Sequence, residues 1–193
     1  MQFLKDAGYS APTTLQAYLW PALTDGRDTV AIAKSGAGKT LSYLLPGFIK
    51  VARAAGNGSN SCGPRMLVMV PTRELWQQIR SESERFGRPA NIATAGVFGA
   101  VPVEFASGQQ CLVATPAHLN SSTGPAIDAS GCQYLVVDQL DQMLNMDFEA
   151  QLLELPRCLP QIRQTAVYTT AWSEKIQIVA RQLTKDALCV QVQ

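Results

Sequence analysis

A single histidine, His118, gives the chain no set of imidazoles from which a histidine-based zinc site could be built. Its five cysteines, Cys62, Cys111, Cys132, Cys158 and Cys189, are odd in number, widely spaced and contain no Cys-x-x-Cys pair. That pattern argues against a disulfide framework and for reduced, mostly buried thiols of an intracellular protein, with Cys111, Cys158 and Cys189 in or beside apolar runs. No apolar stretch approaches bilayer length, and Lys5 and Asp6 precede any sustained apolar run, so neither a membrane span nor a secretory signal is supported. The expectation is a cytoplasmic or nuclear chain with no membrane partner. Charge of one sign is also missing: 16 Lys and Arg against 15 Asp and Glu leave a formal net charge of +1. There is no polybasic tail, so any nucleic-acid surface has to be a local patch created by folding.

What is present is enough apolar material, 47% of 193 residues, to bury a full core in one domain spanning residues 1–193. Short β-branched or wholly apolar runs recur at Thr29–Ala33, Met66–Val70, Asn91–Thr94, Cys111–Ala114, Tyr134–Val137, Thr165–Tyr168 and Leu188–Val192. Each is short enough to be a strand buried on both faces. The longer segments between them, Thr40–Ala55, Glu74–Phe86, Asp141–Leu155 and Ser173–Leu183, read as helices, with Leu75, Ile79 and Phe86 or Ile176, Val179, Ala180 and Leu183 on one face. Alternation of this kind predicts an α/β fold, a three-layer α/β/α sandwich around a mostly parallel sheet. The run Gly56 to Ser61 has no apolar anchor and reads as a surface loop.

Between the first apolar run and the first helix stands Ala33-Lys34-Ser35-Gly36-Ala37-Gly38-Lys39-Thr40. Small residues free backbone N–H groups to surround phosphates, the Lys39 ammonium can reach the outer ones, and the Thr40 hydroxyl suits Mg²⁺. A plain glycine-rich turn explains the glycines but not the Gly38-Lys39-Thr40 ending ahead of an apolar helix. Ser35, Gly36, Ala37, Gly38, Lys39 and Thr40 are therefore candidate nucleotide-binding residues, Thr40 also a metal ligand. Ligands of parallel sheets lie past the carboxyl ends of the strands, where Thr72-Arg73, Thr115-Pro116, Asp138 and Thr169-Thr170 also fall. Asp138, after Leu135-Val136-Val137, is placed to hold Mg²⁺ opposite the loop; a solvated strand-end aspartate is the competing reading.

Taken together these motifs resemble the first RecA-like domain of a DEAD-box RNA helicase, a P-loop NTPase fold, across essentially the whole chain. Gly8-Tyr9, Pro12-Thr13 and Gln16 resemble the adenine-recognition segment (residues 8–16), with Gln16 implied to read the base edge. Residues 33–40 match the phosphate loop, Pro71-Thr72-Arg73-Glu74-Leu75 matches the next motif in full, and Thr169-Thr170-Ala171 stands where Ser-Ala-Thr is usual. The resemblance implies ATP and Mg²⁺ as cofactors and Lys39, Asp138 and the residue after it as the catalytic group. It implies RNA held through its backbone by Pro71, Thr72, Arg73, Gly99, Thr115 and position 118. It also implies a hydroxyl of Thr169 or Thr170 presented to Asp141, coupling the two ligand sites.

The departures bear on activity. The Asp-Glu-Ala-Asp of the family reads Asp138-Gln139-Leu140-Asp141 (residues 138–141), so the carboxylate that orients and helps deprotonate the attacking water is a neutral amide. Gln139 can hydrogen-bond a water but cannot act as a base. Thr-Pro-Gly-Arg reads Thr115-Pro116-Ala117-His118, the paired glycines read Gly99-Ala100, and Gln142 replaces a common arginine. Less positive charge predicts weak, salt-dependent RNA binding. Only 23 residues follow Thr170, which leaves no room in this sequence for the second RecA-like domain that the resemblance implies for strand separation; that domain is an expected partner, in cis or in trans. Expected, then, is an ATP- and RNA-binding domain with slowed hydrolysis and no unwinding alone; the alternative is a catalytically inactive nucleotide-binding scaffold that docks a protein partner.

Overall fold

The computed structural model describes residues 4, 8–55, 63–97, 109–116 and 128–192. Its elements run α1 (Thr14–Thr24), β1 (Thr29–Ala33), α2 (Lys39–Ala55), β2 (Met66–Met69), α3 (Arg73–Gly87), a 3₁₀ turn (Arg88–Ala90), β3 (Ala93–Val97), β4 (Gln109–Ala114), β5 (Tyr134–Val137), α4 (Leu140–Asn145), α5 (Glu149–Cys158), β6 (Gln164–Thr169), α6 (Glu174–Leu183) and β7 (Leu188–Val192). The seven strands form one sheet in the order β3-β4-β2-β5-β6-β1-β7, with every pairing parallel.

Period-two alternation sorts the strand residues onto two faces. Met66, Val68, Tyr134, Val136, Ala166 and Tyr168 pack with residues of α1, α2 and α3. Leu67, Met69, Leu135, Val137 and Val167 pack with residues of α4, α5 and α6 on the other side. The predicted three layers follow from these two cores. Strands β2 and β5 are buried at every position, as expected of runs covered on both faces. The edge strands β3 and β7 are not: β3 is buried only at Ala95 and Val97 and β7 at no position, as each has a neighbouring strand on one side only.

Three expectations are corrected. The segment predicted as one helix, Asp141–Leu155, is two helices broken at Met146 to Phe148. Asp147 takes the left-handed conformation (φ 60°), its N–H donates to Leu144 O, and the N–H of Phe148 donates to Met143 O. That is the helix-ending motif usually built on glycine, here built on aspartate, so the stop was not legible as a glycine. Strand β3 starts at Ala93 rather than Asn91, because Asn91 (φ 53°) closes the preceding 3₁₀ turn. Among the described cysteines, Cys111 and Cys132 are buried but Cys158 and Cys189 are exposed: Cys158 ends α5 and Cys189 lies on edge strand β7. Burial raises the Cys111 and Cys132 thiols to about 12, leaving them protonated and unreactive at neutral pH.

Helix α1 had no counterpart among the predicted helices, although its start is written in the sequence as Thr13-x-x-Gln16. The Thr13 hydroxyl accepts from the Gln16 N–H at 3.3 Å and the Thr13 N–H donates to Gln16 Oε1 at 3.0 Å, a reciprocal cap. Gly56 to Ser61 lie outside the described residues.

Candidate functional site

Sheet order decides which loops meet. Reading across the carboxyl ends of the strands, Thr115 follows β4, Pro71-Thr72-Arg73 follow β2, Asp138 follows β5, Thr170 follows β6 and the 33–40 loop follows β1. The loop residues and Asp138 are thus two strands apart, with β6 between them, while Thr72 and Thr115 continue the row on the other side of Asp138.

The loop turns through Gly36 (φ 82°) and Gly38 (φ 83°), left-handed conformations that glycine adopts freely. Lys39 opens α2, and its ammonium donates to Ala33 O at 2.9 Å, holding the loop closed on itself. The α1 cap braces it from outside: the Thr13 hydroxyl donates to Ala37 O at 2.9 Å and Gln16 Nε2 donates to Gly38 O at 3.1 Å. Gln16 is only 4% exposed and both ends of its amide are committed, one to Thr13 and one to the loop. A Cβ on residue 38 would lie 2.6 Å from Gln16 Nε2 and 3.0 Å from the Thr13 side chain. Gly38→Ala is therefore expected to cost about 1–2 kcal/mol in backbone strain, or about 2–8 °C in Tm. Thermal unfolding checks this, and adding Gln16→Ala should not restore the loss, because it also deletes the bonds of the Gln16 amide to Thr13 and Gly38 and leaves the Thr13 contact in place.

Asp138 is 2% exposed. Its Oδ2 accepts from the Tyr43 hydroxyl at 2.9 Å, whereas Oδ1 is buried without a hydrogen-bond partner. Burial raises its carboxyl above the usual carboxylate range, against the opposing pull of Tyr43, Lys39 and the Gln139 N–H. Gln139 is half-buried and takes φ 59°, ψ 53° as the N-cap of α4, making no side-chain capping bond. Asp141, in the first turn of α4, accepts from the Thr170 hydroxyl; Thr169 instead donates to Ala171 O at 3.0 Å. Of the two threonines expected to face Asp141, Thr170 is the one that does.

Residues 13–179 match the family model described as DEAD/DEAH box helicase. The chain belongs to the DEAD/DEAH box helicase family. It is similar to DEAD-box ATP-dependent RNA helicase 14 of Arabidopsis thaliana, with 41% identity over 92% of this chain and 29% of the relative. It is similar also to DEAD-box ATP-dependent RNA helicase 40 of Oryza sativa subsp. japonica, with 40% identity over 93% of this chain and 23% of the relative. A crystal structure of a hypothetical ATP-dependent RNA helicase from Sulfolobus tokodaii superposes with TM-score 0.84 and 25% identity, covering 99% of this chain and 56% of that one. The chain thus spans about a quarter to a third of these curated relatives, and corresponds to the N-terminal RecA-like domain of a DEAD-box helicase.

On the other half of this DEAD-box domain's strand row, Pro71 is buried, Thr72 caps α3 by accepting from the Leu75 N–H at 3.3 Å, and Arg73 is exposed at the first turn of α3. Thr115 is 4% exposed. Gly99, Ala100, Ala117 and His118 lie outside the described residues. Among the described residues no helix is long and apolar enough to cross a membrane. Sequence reasoning missed Tyr43, whose hydroxyl bonds Asp138, and behind it Tyr168, which packs on the Tyr43 ring and shares a hydrogen bond with Ser42; the signal available was two tyrosines inside otherwise apolar segments, each with a hydroxyl that burial obliges to find a partner.

Proposed function

We propose that this domain binds ATP with Mg²⁺ at the 33–40 loop and holds an RNA backbone at the ends of β2 and β4, with hydrolysis slowed by Gln139. The observation that carries the reading is Asp138: a buried carboxylate with one oxygen unpartnered, beside a loop offering Lys39 and Thr40. A buried orphan oxygen is costly unless a cation or water completes it, so the donor set fits a hard divalent ion. Thr40 and Asp138 are the residues to hold Mg²⁺, which when bound neutralises phosphate charge. Lys39 reaches the outer phosphates once it leaves Ala33 O, and the N–H groups of Ser35 to Thr40 complete the cradle. Gln16 meets adenine only by exchanging a bond it now makes. Gln139 can orient a water by donating and accepting, but the proton has to leave by another path.

On the RNA side, the exposed Arg73 at a helix start suits a backbone phosphate. The Thr170 to Asp141 bond links β6 to α4 and hence the two halves of the row. A second RecA-like domain completes the site, so no unwinding is expected from this domain alone.

Filter binding of a single-stranded oligoribonucleotide tests the reading, using this chain plus a supplied second RecA-like domain, with and without Mg²⁺ and a non-hydrolysable ATP analogue. Retention should require the nucleotide. It should also weaken with salt, and Arg73→Ala should reduce the log–log slope by about 0.7, the value for one phosphate contact to a single strand. Nucleotide binding with no RNA retention at any salt concentration rejects the RNA half and supports the second reading, a nucleotide-binding scaffold for a protein partner, which Gln139 and Gln142 favour.

A further inference from the structure

Tyr43 belongs to none of the motifs, yet it is fully buried between the two residues assigned to the metal. It lies one helical turn after Lys39 on α2, and its hydroxyl donates to Asp138 Oδ2 at 2.9 Å. The Thr40 side chain lies close to the same hydroxyl. The ring is braced by Tyr168 on β6, edge to face, with centroids 5.1 Å apart and planes at 63°. Tyr168 in turn shares a 2.9 Å hydrogen bond with Ser42 Oγ, and Ser42 donates to Lys39 O at 2.6 Å.

A carboxylate at the end of an aspartate turns readily about its last torsion, which is broad and nearly two-fold. Tyr43 removes that freedom by holding one oxygen, which leaves Oδ1 as the buried oxygen still without a hydrogen-bond partner, the one a cation would complete. We propose that Tyr43 is a positioning residue for magnesium, selecting the oxygen that Asp138 presents and tying it to Thr40, with Tyr168 and Ser42 holding the tyrosine in place. The proposal rests on the nucleotide-binding reading above. Metal affinity in proteins commonly depends on partners of this kind, which orient a ligand without touching the ion.

Tyr43→Phe keeps the ring and its contact with Tyr168 and deletes only the hydroxyl. Calorimetric binding of ATP to the full chain is measured across a magnesium titration and again in EDTA, with circular dichroism as the folding control. The expected result is a rise of about tenfold in the magnesium midpoint, with affinity for ATP in EDTA unchanged. An unchanged midpoint, or equal losses with and without magnesium, overturns the proposal while leaving nucleotide binding in place. Failure of the unaltered chain to bind ATP in a magnesium-dependent way overturns the reading beneath it and the proposal with it. Should Tyr43→Phe not fold, Tyr168→Phe carries the test: it loosens the brace while sparing the Tyr43 hydroxyl, and is expected to raise the midpoint by less; no rise again overturns the proposal.

Discussion

Replacing Gln139 by glutamate is expected to raise single-turnover ATP hydrolysis by about 10²–10⁴ while leaving ATP affinity nearly unchanged. The two side chains have the same length and differ in one atom, so the change tests proton acceptance rather than shape. Gln139 is not engaged in capping α4, so its side chain is not already committed there. Its left-handed backbone costs about 1–2 kcal/mol relative to a right-handed one, strain of the kind that persists when neighbouring structure imposes it. Glutamate faces that same strain and adds a negative charge near Asp138 and Asp141, so the variant should be somewhat less stable until magnesium is supplied. The rate is to be measured with and without a supplied second RecA-like domain. Hydrolysis that appears only with glutamate means the natural chain is a nucleotide-gated clamp without a base; equal turnover in both forms means the amide suffices.

Asp138→Asn should separate function from stability. At neutral pH the variant is expected to unfold at a higher temperature than the natural chain, yet to lose magnesium-dependent nucleotide binding. Burial raises the folded-state carboxyl above its unfolded value of about 3.9. The folded chain therefore holds this proton more tightly than the unfolded one. Its contribution to stability is complete below the unfolded value and is lost as pH rises through the folded one. Above that window the ionised group is a cost, which the amide removes; the Tyr43 hydroxyl keeps an acceptor, and a neutral orphan atom costs less than a charged one. A gain on the order of 1 kcal/mol corresponds to about 2–4 °C for a chain of this size. Thermal scans from pH 4 to pH 8 check it, and the gap between the two proteins should close toward the acid end. Saturating Mg²⁺ and ADP should reverse the order, since ligand at 100 times Kd adds about 2.7 kcal/mol to a chain that binds it.

The sheet and the helices α2, α3 and α6 were legible because the strands are short apolar runs and these helices longer amphipathic ones, and the alternation of Met66 and Val68 with Leu67 and Met69 sorts onto two helical layers. The break at Asp147 was not legible: a left-handed aspartate carries no mark that distinguishes it from a surface residue in a helix. The place of the 33–40 loop and of Asp138, at the carboxyl ends of β1 and β5, was readable because each directly follows a short apolar run. Tyr43 was not, since its partner lies 95 positions away and only the folded sheet brings them together. The same holds for Gln16, whose residue type suggests a base edge while its position sets it against Gly38.

The place of β1 between β6 and β7 has a consequence for synthesis. Its Thr29 lies opposite Ala166 and Leu188, and the Thr165 N–H that bonds the adjacent Asp28 is 137 positions away. At about 5–20 residues per second, roughly 7–30 s of translation separate the emergence of β1 from that of its first neighbour. Throughout that interval the five residues Thr29–Ala33 lack both strands they pair with in the finished sheet, β6 and β7. The segment encoding the phosphate loop is therefore made early and completed late, and a nascent chain stalled before residue 164 holds the loop sequence without the neighbouring strands that shape it.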